Sequence, residues 1–189
     1  NINAAFVSIV PDDLDYIKGQ TAPSTYYASG GVWYPDITLE PTKGYMLKSA
    51  SVDTLIYPDT ESNSNNNLLF RDSIEPDFNY RQYEYNASVT LELDMPHVDI
   101  SNNDIIRAFF NDEQRGMVQG DICPLNDKIL FNLMIYSNNQ FDKDLELVYT
   151  NSITGKEYTM RETIDFEKDA ILGNAYNPVV LTDTAIPYQ

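Results

Sequence analysis

The sequence predicts an all-β protein made of two β-domains in series: a small β-rich domain with at most one short helix, then an immunoglobulin-like antiparallel β-sandwich. Three observations lead there. Tyr83, Tyr85, Ala87, Val89, Leu91, Leu93 and Met95 alternate with Gln82, Glu84, Asn86, Ser88, Thr90, Glu92 and Asp94. A period of two puts the first set on one side of an extended chain and the second on the other, as in a half-buried strand. Residues 129–136 are apolar on both faces except at Asn132, the pattern of a central strand covered on each side. Turn residues punctuate the second half so that six or seven strands fall in about 110 residues, the spacing of a sandwich.

From the start of the chain, residues 1–10 read as a short apolar element. Pro11-Asp12-Asp13 reads as a turn or the opening of a helical turn over 12–18, with carboxylates near its positive end. From Tyr26 onward, Gly30-Gly31, Pro35-Asp36, Pro41-Thr42 and Lys43-Gly44 separate short segments, with small strands over 45–48 and 52–57. The run ESNSNNN at 61–67 is the most linker-like stretch, although Leu68-Leu69-Phe70 is apolar enough to pack on a domain. The domains are therefore 1–60 for the small module, 61–79 for the linker and 80–189 for the sandwich. Within the sandwich the long strand leads to a turn at 96–103, a strand at 105–110, a turn over 111–114 and a strand from Arg115-Gly116. Leu145, Leu147 and Tyr149 alternate again, Thr154-Gly155-Lys156 turns the chain toward Tyr158 and Met160, and residues 164–166 add a short strand.

Composition narrows the function. The net charge is −17, with 12 Lys plus Arg against 29 Asp plus Glu and no basic cluster, so nucleic acid is not an expected partner. A hydrophobic share of 42% is enough for a core, and there is no transmembrane segment, since no apolar run approaches the ~20 residues a bilayer requires. The single cysteine, Cys123, can close no intrachain disulfide. The abrupt beginning at Asn1 reads as a piece cut from something longer.

Two segments resemble modules of large exported and surface-attached proteins found especially among the Bacteroidetes and their relatives. The first covers residues 14–57, through Ile17-Lys18-Gly19-Gln20, Trp33, Leu39, Pro41, Gly44-Tyr45-Met46 and Tyr57-Pro58. It departs from the module's pattern at Val32 and at Thr42-Lys43. The second covers residues 83–181, through Ile105, Ala108-Phe109, Glu113, Arg115-Gly116, Phe131, Leu133, Ile135-Tyr136, Asn138, Tyr149, Thr154-Gly155, Tyr158, Ile164, Phe166, Gly173, Asn177-Pro178 and Leu181. The resemblance implies an extracellular or cell-surface setting and brings no catalytic residue with it. Such modules usually follow a strand containing Gly-Trp-Asn-Trp, absent here. The first module is thus expected to lack its upstream strand, lost by processing or donated by a neighbouring copy, and TDTAIPYQ at the end reads as the lead-in to one.

No residues stand out as catalytic. His97 is the only histidine and sits in a turn, Cys123 precedes Pro124 in a loop, and no nucleophile motif is present. A carboxylate pair for glycoside hydrolysis would need a cleft that a small sandwich does not offer. Tyr26, Tyr27, Trp33 and Tyr34 are the candidate ligand or partner contacts, because exposed rings stack on sugars or anchor proteins; core packing is the competing reading, and the more common one for Trp33. The one cofactor the acidic loops suggest is structural calcium, at Asp99 and Asp104 or at Asp142 and Asp144, with solvated turn acids as the competing reading. Asp12, Asp13 and Asp15 form a similar cluster. Thr54, Ser73 and Thr184 each follow an aspartate and precede a small or apolar residue, resembling the O-glycosylation pattern of exported Bacteroidetes proteins. Asn86-Ala87-Ser88 is a weaker N-linked acceptor. The expected function is a non-enzymatic structural or adhesive module, a repeating unit of a filament or array whose partners are neighbouring copies. The alternative is a carbohydrate-binding module that takes glycans, which requires Trp33 or Tyr34 at the surface.

Overall fold

The computed structural model of the protein describes residues 1–40, 43–56 and 78–184. Most of the expected linker, with Leu68-Leu69-Phe70 and Ser73, lies outside these residues, as do Pro41-Thr42 and Tyr57-Pro58.

The N-terminal unit opens with one turn of helix, α1 (Ile2–Ala5), capped by the Asn1 side chain, which accepts from Ala4 N. Strands β1 (Tyr16–Lys18), β2 (Pro23–Tyr27), β3 (Val32–Tyr34) and β4 (Met46–Lys48) form an antiparallel sheet in the order β3-β2-β1-β4. The helical turn expected over 12–18 is instead a tight turn running into β1. Asp15 N donates to Asp12 O, and the Asp15 carboxylate accepts the Asp12 N–H in return. Two-sided burial explains the strand: the register sets Tyr16, Lys18, Thr25, Tyr27 and Tyr34 on one face and Ile17, Ser24, Tyr26 and Trp33 on the other. Ile17 and Trp33 pack with Ile2, Phe6 and Ile37 into a small core. Residues 52–56 form no strand and leave Val52 and Ile56 exposed. Side-chain bonds hold that stretch, with Ser8 Oγ donating to Ile56 O and Val10 N donating to Asp53.

A 3₁₀ turn (Tyr80–Gln82) leads into the second unit. Its strands are β5 (Tyr85–Leu93), β6 (Ile105–Phe110), β7 (Glu113–Gln119), β8 (Asp121–Ile122), β9 (Ile129–Ser137), β10 (Phe141–Thr150), β11 (Glu157–Thr159), β12 (Ile164–Glu167), β13 (Ile171–Leu172) and β14 (Val179–Leu181). One sheet runs β13-β5-β9-β8 with β14 also on β5, and the other runs β11-β10-β6-β7 with β12 on β10. Between them lie Val89, Leu91, Leu133, Ile106, Leu147 and Phe166, with other buried side chains of both sheets. The alternation read from Tyr85 to Met95 is the alternation of this core, whereas Tyr83 meets Phe78 and Tyr136 outside it.

Three details go beyond the sequence reading. Asn111 and Asp112 take φ of 51° and 62° and make a two-residue hairpin turn, so β7 begins at Glu113. Strand β7 then passes so close to β9 that a Cβ on Gly116 would lie 2.3 Å from Met134 O. The long ladders are antiparallel, but β13 and β14 join β5 in parallel, which is how the end of the chain returns to the first strand of its own sandwich.

Candidate functional site

The side of β5 and β9 turned away from the sandwich core was expected to be wet on β5. It is dry at Ser88 and Leu130, where the N-terminal sheet lies on it, and also at Met134 and at Tyr136, whose ring meets Phe78, Tyr80 and Tyr83. Residues 129–136 are apolar on both faces because the odd positions serve the sandwich core while Leu130 and Tyr136, on the other face, meet the N-terminal unit.

At one end of the joint, the Tyr16 hydroxyl pairs with Ser88 Oγ at 2.5 Å and the buried Lys18 Nζ reaches Asp169 Oδ1 at 2.9 Å. Tyr136 OH donates to Gln20 O at 2.6 Å nearby. At the other end Tyr27, Tyr34, Cys123, Leu130 and Ala175 form an apolar cluster shared by both units. Ala175 N donates to Tyr27 OH at 2.7 Å, and Tyr176 meets the Tyr27 ring edge-on at 5.0 Å. Burial pushes the Tyr16 hydroxyl up to about 12, opposed by the Ser88 hydrogen bond and reinforced by the Asp169 charge. Burial likewise raises Tyr27, Tyr34 and Tyr136, and it raises the Cys123 thiol, which packs within this cluster.

Three of the four aromatic candidates are thereby corrected. Trp33 is 5% exposed, packed edge-on to Phe6 at 5.3 Å, while Tyr27 and Tyr34 are inside the joint. Rings enclosed by protein offer no stacking face, so the carbohydrate-binding alternative loses the exposed Trp33 or Tyr34 it requires. Tyr26 is half-buried against Trp33.

The calcium candidates separate as well. Asp104 is buried and accepts from Ser101 N, Tyr149 OH, Ser152 N and Ser152 Oγ, each within 2.7 Å. Burial alone would raise its carboxyl, but these four bonds outweigh it and hold the group below the usual carboxylate range. Asp142 accepts from Ser137 Oγ and, at 2.8 Å, from Asn139 Nδ2, with Arg115 Nη1 at 3.9 Å. Both carboxylates tie loops to strands through hydrogen bonds. Asp99 is exposed, with its carbonyl taken by Asn151. Asp144 lies within the β10 bulge between Asp142 and Leu145, at φ 58°, its N–H bonded to Asp165. No group of three or more His, Cys, Asp or Glu side chains converges among the described residues.

Thr54 and Thr184 are exposed. The carboxyl of Asp53, beside Thr54, is lowered by the N–H groups of Val10 and Thr54. Asn86 is half-buried at the edge of the joint, its backbone carbonyl accepting from Asp169 N and Lys18 Nζ. His97 pairs with Asp183 at 3.0 Å. A shallow pocket of ~200 Å³ lies beside Trp33 and Leu47 and holds two acids, Asp15 and Asp53, both bonded to backbone N–H groups.

Tyr16 and Asp169 were not singled out from the sequence, and Lys18 stood there only as part of the Ile17-Lys18-Gly19-Gln20 match. Tyr16 sits 72 positions from Ser88 and Lys18 sits 151 from Asp169, and no local pattern announces such a pairing. The even positions of residues 129–136 were the available signal. No protein-family model, curated protein or solved structure matches the chain.

Proposed function

We propose that the chain is a non-enzymatic structural and adhesive module of a secreted or cell-surface protein, a rigid two-unit spacer. It meets neighbouring copies or modules of the same protein at its ends and edges. The observation that carries the reading is the joint. Units that merely follow one another along a chain share little surface and move independently, whereas these share an apolar cluster, a buried lysine and several hydrogen bonds. A spacer needs that stiffness, and an enzyme would need converging reactive groups in a cleft. The charge of −17 limits unspecific sticking between modules and leaves contact to defined patches.

The test is immunogold electron microscopy of intact, unpermeabilised cells with antibodies to this chain. Gold at the cell surface or on extracellular filaments, at regular spacing, supports the reading. Label found only inside cells after permeabilisation overturns it.

A further inference from the structure

The two ends of the sandwich are neighbouring strands that run the same way. β5 is its first long strand and β14 its last, and β14 pairs with β5 in parallel: Val179↔Leu91, Val180↔Glu92 and Leu181↔Leu93. β13 adds Ile171↔Ser88 and Leu172↔Val89 on the same edge. Between the two patches Gly173, at φ 66°, lets the chain step off the ladder and return; a Cβ there would lie 2.8 Å from Thr90 O. Ser88 N donates to Ala170 O at 3.0 Å and Asp94 N to Leu181 O at 2.9 Å, so bonds bracket the whole stretch.

This order decides how the module meets tension. Force enters at the N-terminal end of β5 and leaves at the C-terminal end of β14. Because the strands are parallel, those points lie at opposite ends of the shared ladder, and the pull runs along it. The three β14 pairs are loaded together in shear, with the two β13 pairs behind them on the same edge. Antiparallel neighbours pulled at adjacent ends open one rung at a time, each rung being worth only about 1 kcal/mol net. The joint stiffens the same place, since Tyr16 holds Ser88 and Lys18 holds Asp169, next to Ala170. Past β14, among the described residues, the bridge Met160↔Asp183, the Thr182–Glu162 pair, the bonds from Arg161 to Thr182 O and Asp183 O, the His97–Asp183 pair and the Thr184 N bond to Thr159 O stand before the ladder.

We infer that the β5–β13/β14 ladder is a shear clamp that makes this module resist stretching along the chain. The inference follows from strand order and not from where the module resides, so it stands or falls separately from the surface assignment.

Single-molecule force spectroscopy on the full chain tests it, with cysteine handles at the exposed positions Glu84 and Thr184 for the shear direction. Handles at Glu84 and Asn138, the adjacent ends of the β5–β9 pair, give the peeling direction. The expected rupture force is several-fold higher for the first pair than for the second, and equal forces overturn the clamp. A disulfide between E92C and V180C, at facing register positions, provides a second reading. Oxidation is expected to raise the first shear rupture and reduction to restore it; a first rupture indifferent to the staple overturns the clamp.

Discussion

Tyr27→Phe isolates one bond of the joint. The substitution keeps the ring, which is 1% exposed and packed on Tyr176, and removes the oxygen that accepts from Ala175 N at 2.7 Å. Ala175 is itself buried, so its N–H is left without a partner in a dry place. The cost of orphaning a buried donor is about 1–3 kcal/mol, larger than the mean worth of a hydrogen bond because the desolvation penalty is borne in full. Urea denaturation followed by two probes measures it. Trp33, the single tryptophan, reports the N-terminal core, and far-ultraviolet circular dichroism reports mainly the sandwich. Both midpoints are expected to coincide in the wild type and, in the variant, to show a loss of about 1–3 kcal/mol in the tryptophan transition. Tyr26→Phe, on the opposite face of β2, is the control and is expected to change stability by no more than about 0.5 kcal/mol. A Tyr27→Phe protein that unfolds at the wild-type midpoint, or two wild-type transitions far apart, would refute a load-sharing joint.

Three further outcomes follow from the same contacts. In the alkaline range the folded Tyr16 hydroxyl ionises at about 12 and the unfolded one near 10. The unfolded chain therefore releases its proton first, and stability falls as pH rises between those values, by about 3 kcal/mol for this group. Tyr27, Tyr34 and Tyr136 act in the same direction, so the last part of the tyrosinate absorbance, from these buried rings, is expected to appear only with loss of circular dichroism; ionisation of all 14 tyrosines with the fold intact counts against it. Asp104→Asn replaces one acceptor oxygen by a donor facing Tyr149 OH and Ser152, with an expected loss of about 2 kcal/mol or more in chemical denaturation. Gly116→Ala places a methyl group 2.3 Å from Met134 O, backbone that no rotamer can relieve. Soluble yield is expected to collapse, whereas Gly155→Ala, with open space around it at φ 68°, should cost only about 1–3 kcal/mol.

The sandwich core was legible because burial on one side of a strand leaves a trace with period two. Ala87, Val89, Leu91 and Leu93 were assigned to the interior from spacing alone, and all four are there. Hairpin chemistry was readable too, as with Thr154-Gly155-Lys156, where Gly155 sits at φ 68°. Residues 16–18 were not legible, because three residues buried on both faces carry no alternation; the carboxylates upstream suggested a helix where Asp15 in fact closes a turn. The aromatic candidates failed for a related reason. A run of Tyr and Trp looks the same in sequence whether its rings face solvent or a second domain, and here Tyr27 and Tyr34 face Leu130 and Cys123.

Composition and periodicity by themselves determined an acidic, all-β chain with a two-layered second half, because strand burial is a local property written every second residue. The tertiary structure alone decided that the first sheet covers Ser88, that Lys18 meets Asp169 and that β14 lies parallel to β5. Those pairings join residues far apart in sequence, where only the closing of the chain, and no neighbouring pattern, selects the partner.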